Sequence, residues 1–162
     1  MGFVWLAWLF VLVVALHNLE EAIWLPAWSP AAGRWHHPVG NSEFRFAVLV
    51  LTLLAAGAAE LATLQGKGSL GAYLVTGYAL AMLLNVLFPH LLATLVLRRY
   101  MPGTATAVLL NMPVTIALLE SGIREGYIEL HAFAIYGSLV VVGIVSSIPI
   151  LFWIGRKWSA AS

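Results

Sequence analysis

Hydrophobic positions along the chain fall into five long runs separated by short polar interruptions. Each run holds about 20 residues or more, enough to cross the ~30 Å hydrocarbon core of a bilayer at ~1.5 Å per residue. The first extends from Phe3 to Leu25 and is closed by Pro26 and Pro30. A turn-rich loop, Ala27 to Ser42, follows with Arg34, His36, His37 and Pro38. The second run, Phe44 to Leu64, ends in Gln65-Gly66-Lys67-Gly68, and the third, Leu70 to Leu97, ends in Arg98-Arg99. After the turn Tyr100-Met101-Pro102-Gly103, the fourth run occupies Thr104 to Ser121, and a charged loop, Gly122 to Glu129, leads into the fifth. That run, Leu130 to Ile154, is closed by Arg156-Lys157. The pattern predicts an all-α polytopic membrane bundle of five transmembrane helices, antiparallel in sequence order because the loops are short. No repeat or linker divides it, so residues 1–162 form one domain.

Composition sharpens this picture. The chain is 62% hydrophobic and 9% charged, against roughly 25% charge in ordinary soluble domains. A net charge of +1 without a basic tract argues against nucleic acid as a partner. There is no cysteine, which removes disulfides and thiolate metal sites. The N-terminal run has neither a basic flank nor a clear cleavage site, so it is expected to be a retained span. Basic loop residues set the orientation: Arg34, Arg45, Arg98, Arg99, Arg156 and Lys157 fall on one side, Lys67 and Arg124 on the other. The N-terminus is therefore expected outside and the C-terminus in the cytoplasm, in a cell inner membrane. Trp24, Trp28, Trp35, Trp153 and Trp158 then lie near the inner interface, Trp5 and Trp8 near the outer, as anchoring belts do. Ala55 to Ala59 in the second run, and Gly137 and Gly143 in the fifth, are expected to permit close helix contacts.

The apolar pattern breaks in one telling place, His17-Asn18-Leu19-Glu20-Glu21. Positions i, i+3 and i+4 share one helix face, so His17, Glu20 and Glu21 point the same way. An ionisable residue at mid-membrane costs about 2.5–3.5 kcal/mol on insertion scales, and three on one face demand partners. A cap or packing cluster would need one polar residue, not three. Counting depth along the spans at ~1.5 Å per residue places His90, Asn85 and Asn111 at a similar level. Pro89, before His90, is expected to kink the third helix and free a carbonyl. The predicted site is thus one layer: His17, Glu20, Glu21 and His90, supported by Asn85 and Asn111, with the first and third spans as neighbours. Glu60, Glu120, Glu129 and His131 fall at the outer level and read as structural or solvated, with a second site there the weaker option.

Two histidines and two glutamates at one depth suit a single Zn, Fe or Mn ion. In that form the metal residues are drawn from His17, Glu20, Glu21 and His90: His17, His90 and one glutamate, Glu20 or Glu21, would be the ligands and the other glutamate would activate water for hydrolysis. Without metal, the paired carboxyls and a histidine could run acid–base isomerisation or cyclisation of a lipophilic substrate. A proton-coupled or ion transporter is the reading from another class; the bundle is small and lacks an inverted repeat, though a homo-oligomer could supply the missing path. No Ser-His-Asp arrangement, phosphate loop or dinucleotide fingerprint is present, and the acidic residues include no aspartate. An enzyme acting on a lipid or other lipophilic small molecule leads.

His17-Asn18-Leu19-Glu20-Glu21, the downstream His90 and Tyr100-Met101-Pro102-Gly103 together resemble the HXXEE family of small membrane proteins. Its pattern is His-x-x-Glu-Glu, a further histidine, and Tyr-x-Pro-Gly. The resemblance supports His17, Glu20, Glu21 and His90 as a site, adds Tyr100, Pro102 and Gly103, and implies no reaction. The turn has its own physical reading. Pro102 is expected to preset the start of the fourth helix, Gly103 to allow close backbone approach, and Tyr100 to turn its hydroxyl toward the polar layer.

Overall fold

The computed structural model describes residues 1–35 and 38–161, and side chains except those of 34, 35 and 159–161. His36 and His37 of the first loop, and the side chains of Arg34 and Trp35, therefore lie outside the described residues. Five helices are long and apolar enough to cross a membrane: Phe3–Gly33, Asn41–Gln65, Leu70–Leu97, Thr104–Arg124 and Leu130–Trp158. No strand occurs among the described residues. The chain is a polytopic, all-α membrane bundle.

The first span is α1 (Phe3–Trp28) with a 3-10 segment, Ser29–Trp35. It runs past Pro26, whose missing N–H falls in the last turns. Ser29 ends it by linking chain ends: its hydroxyl donates to the Pro26 carbonyl (3.2 Å) and accepts from Val39 N–H (3.0 Å). The second span, α2 (Asn41–Gln65), begins before Phe44 because the Glu43 carboxylate accepts the Gly40 N–H at 2.9 Å, satisfying an otherwise orphaned donor. The third span is broken. α3 (Leu70–Asn85) gives way to a π-helical segment, Val86–Leu91, in which Phe88 is extended (φ −134°, ψ 120°), and then to α4 (Leu92–Leu97). Pro89 accounts for the break, as expected.

The fourth span also changes pitch, from α5 (Thr104–Thr106) through a π segment, Ala107–Asn111, to α6 (Met112–Arg124). Pro113 has no N–H to give the Leu109 carbonyl, so the widened turn sits just before it. The helix starts at Thr104 with Gly103 as its cap, so Pro102 belongs to the turn and does not occupy the first helical position. The fifth span, α7 (Leu130–Ala161), continues beyond Ile154.

Four spans close a ring. α1 packs on α2, α2 on α3, α3 on α6 and α6 on α1, while α7 lies outside against α2 and α3 alone. The first and third spans are thus not backbone neighbours, contrary to expectation; they face each other across the ring and meet through long side chains, as Phe10 and Tyr78 do at 5.8 Å between ring centroids. On the N-terminal side of the ring, Phe3, Leu6, Phe10, Val14, Val75 and Leu118 form a dry core.

Small residues set the closest approaches. Ala55, Ala58, Ala59 and Ala62 are buried, and a Cβ on Gly71 would stand 2.3 Å from the Ala62 nitrogen. Gly137 is buried, with Phe133 of the same helix nearest to it, while the contact expected at Gly143 does not form, nothing lying within 4 Å of a built Cβ. The fifth span instead meets Gly77 of α3 through Val140, and its Gly155 rests on the Glu43 backbone, beside an Arg156–Glu43 ion pair at 3.3 Å.

Candidate functional site

Breaking the third span lets His90, 0% exposed, reach the first span across the ring. Its Nε2 lies 3.3 Å from Glu21 Oε1, and the His17 Nε2 lies 3.7 Å from Glu21 Oε2. The two imidazoles meet edge to face, 4.9 Å between centroids. One ligand atom from each of His17, Glu21 and His90 fits within a mutual 4.8 Å, a spacing that can hold one metal ion. Neither nitrogen of His90 has a hydrogen bond. Nε2 has only the Glu21 carboxylate beside it and Nδ1 has no polar contact, a costly state for a buried ring that a ligand would relieve.

Glu20 does not join this cluster, which corrects its expected place as a ligand. Successive residues on a helix diverge by about 100°; Glu21, at i+4 from His17, stays beneath the imidazole, and Glu20 turns to the fourth span. There its carboxylate receives the N–H groups of Gly103 (2.9 Å) and Thr106 (3.3 Å) and the Thr106 hydroxyl (2.7 Å). The Tyr100 hydroxyl also donates to it and in turn accepts from Ala105 N–H. Glu20 thus caps the N-terminus of the fourth span from another helix, where orphaned donors and the helix dipole favour an anion. Burial, and then the carboxylate it faces, holds the Tyr100 hydroxyl above its ordinary pKa.

The two halves of the motif are joined by Thr106, which sequence reading missed. Its hydroxyl lies 3.0 Å from His17 Nδ1. Its single proton goes to Glu20, so it accepts from His17 Nδ1–H. His17 Nε2 is then the bare nitrogen, and Asn85 Nδ2 donates to it at 3.4 Å. The proton on Nδ1 leaves Nε2 as the acceptor on the side of Asn85 and Glu21. A threonine in the first helical turn after Tyr-x-Pro-Gly was the available signal. Asn18, inside the motif, has a different duty: it donates to the Val48 carbonyl (3.2 Å) and Thr52 hydroxyl (2.8 Å), fixing α1 to α2.

Gly103 closes the site. Its backbone is left-handed at φ 91°, and a Cβ there would meet His90 Cε1 at 2.6 Å, Glu21 Cγ at 2.9 Å and His17 Cε1 at 3.0 Å. Asn111 is wholly buried on the fourth span, and its amide atoms make no hydrogen bond; the same holds for the Thr115 hydroxyl one turn on. Asn111 makes no hydrogen bond to the His–Glu cluster. Glu60, Glu120, Glu129 and His131 are exposed and join no metal-capable group among the described residues.

Beside the cluster lies a cavity of about 490 Å³, with His17, Glu21 and Asn85 on one wall. The remaining walls are overwhelmingly apolar and come from α2, α3, α7 and the broken segment.

Comparison with known proteins agrees with the motif. The family described as "Protein of unknown function with HXXEE motif" matches residues 8–118. The chain is 38% identical over 152 residues to the "Uncharacterized protein YrkK" of Bacillus subtilis (strain 168), covering 93% of this chain and 95% of that protein. No solved structure matches the chain. The matched span takes in His17, Glu20, Glu21, His90 and the Tyr100–Gly103 turn, and the chain belongs to the HXXEE family.

Proposed function

We propose that the chain is a membrane-embedded enzyme acting on a lipophilic small molecule, with His17, Glu21 and His90 holding one divalent ion of Zn, Fe or Mn. The observation that carries this reading is that two members of that cluster, His17 and Glu21, line a largely apolar cavity. Two imidazoles and one carboxylate are the donor set of open zinc and non-haem iron sites. A bound ion would supply Lewis acidity and a lowered pKa for bound water. The protein's own contribution is orientation. Thr106 and Glu20 fix the His17 tautomer, Asn85 offers an amide at the same wall, and Gly103 lets the backbone shield the cluster.

The dry layer of Phe3, Leu6, Phe10 and Leu118 favours this reading over transport, because ion or proton passage needs polar groups through both leaflets. Metal-free acid–base chemistry would use the same three residues and differs only in the occupant. In the membrane itself, the basic loops favour an inner membrane with the C-terminus in the cytoplasm.

Two measurements test the proposal together. Metal analysis of detergent-purified protein should find about one ion per chain. Occupancy should fall in His17→Ala, Glu21→Gln and His90→Ala and persist in Glu60→Gln. Lipid extracts of membranes expressing wild type or Glu21→Gln should differ in a species that depends on the intact cluster. Metal-free wild type would overturn the ion, and identical lipid profiles would overturn the enzyme.

A further inference from the structure

We infer that the cavity is a binding site for the chain of a single-chain amphiphile, which enters sideways from the bilayer between the third and fifth spans. The inference deepens the enzyme reading by naming its substrate class. Its first support is the distribution of polarity. His17, Glu21 and Asn85, which contact one another, are the polar groups grouped along the lining, while the others are bonded elsewhere. The Asn18 amide is bonded to α2, and the Tyr78 hydroxyl donates to the Leu51 carbonyl at 3.0 Å, leaving its ring to face the space. A ligand with one polar end and an apolar body matches such a lining.

The second support is the mouth. Leu84 (46% exposed), Leu87 (54%), Phe88 (62%) and Val145 (58%) line the cavity and also face outward at membrane depth. The opening is therefore to lipid. On the opposite side Gly103 presses against the cluster, so the loop face offers no comparable route.

The third support is size. A volume of about 490 Å³ lies within the range of small-molecule pockets, about 300–1,000 Å³. One chain with a small oxygen-bearing head is an occupant of that scale. α7 supplies the long wall, with Val141, Ile144, Val145, Ile148 and Phe152 recurring at helical spacing toward the cavity.

The test uses the full chain in its membrane and myristic acid carrying a mid-chain diazirine and a terminal alkyne. After photolysis, peptide mapping should place the label on the Val141, Ile144 and Ile148 stripe and on Ala81 and Met82 of α3. Excess unlabelled myristate should compete, and dioleoyl phosphatidylcholine should not. Ile144→Trp should cut labelling at least about fivefold, the least that filling a packed space costs a ligand. Val142→Trp, on the exposed face of the same helix, should leave it unchanged. If Ile144→Trp unfolds the protein, Val141→Phe fills the same space. Label spread evenly over the lipid-facing side of α7, competition by phospholipid, or no loss in the filled variants would overturn the inference. The Glu21→Gln variant separates this from the enzyme reading: it should lose metal yet keep the label. Lost label with retained metal in wild type would sink the chain pocket alone.

Discussion

Replacing Gly103 by Ala should be among the most damaging single-methyl changes available to this protein. Two costs add. At φ 91° a side chain must adopt the left-handed region, at about 1–2 kcal/mol. The new Cβ would also stand 2.6 to 3.0 Å from His90, Glu21 and His17 at once, and overpacking of this kind costs about 1–3 kcal/mol. The three neighbours cannot all retreat, since His17 is held by Thr106 and both imidazoles are enclosed. The expected total is about 2–5 kcal/mol, a large share of the ~5–15 kcal/mol that stabilises a typical domain. Gly126 provides the control. It has φ 75° and nothing within 4 Å of a built Cβ, so Gly126→Ala carries the backbone cost alone. Reversible unfolding of wild type and both variants in mixed micelles measures the difference. The Gly103 variant should lose about 1–3 kcal/mol more than the Gly126 variant, and its metal occupancy should drop while that of the control holds. Equal losses would mean that the turn does not press on the cluster, and the closed-site argument would fail.

Two other predictions follow from the same geometry. Because the folded state holds the Tyr100 hydroxyl above its ordinary pKa, the protonated form favours folding; that contribution is complete below the unfolded value near 10 and fades as pH rises through the folded one. Melting curves from pH 8 to 11, pH values chosen to bracket about 10, should therefore fall more steeply for wild type than for Tyr100→Phe, and parallel curves would refute the Glu20–Tyr100 contact. For topology, reporter fusions at Gly68 and after the C-terminus should be active on opposite sides of the membrane, the second in the cytoplasm; both on one side would reject the five-span order.

The spans were legible because five apolar runs leave a bilayer few alternatives, and some helix ends shifted where a local bond intervened, as at Glu43. His17, Glu21 and His90 were legible because ionisable groups in lipid must meet. The division of labour between Glu20 and Glu21 was not, since it depends on the fourth helix presenting its N-terminal donors to one carboxylate and not the other. Thr106 was hidden for a related reason: a threonine in a first helical turn is ordinary, and only the fold brings His17 beside it. The diagonal meeting of the first and third spans was invisible to depth counting, which fixes height in the membrane but not the angle around the bundle. The Gly143 contact failed on that same missing angle.

Among its contacts with the ring, the fifth helix presses closely at Val140 over Gly77 and at Gly155 on Glu43, and the cavity stripe from Val141 to Phe152 lies between them. It is a beam clamped at both ends over an open bay. A free helix of this length would answer a thinner bilayer by tilting. A beam with two clamps can tilt only by carrying α2 and α3 with it, so the width of the bay is set by the clamps. The cavity should keep its dimensions across membranes of different thickness, and loosening either clamp, at Gly77 or at the Glu43–Arg156 pair, should make it depend on the lipid.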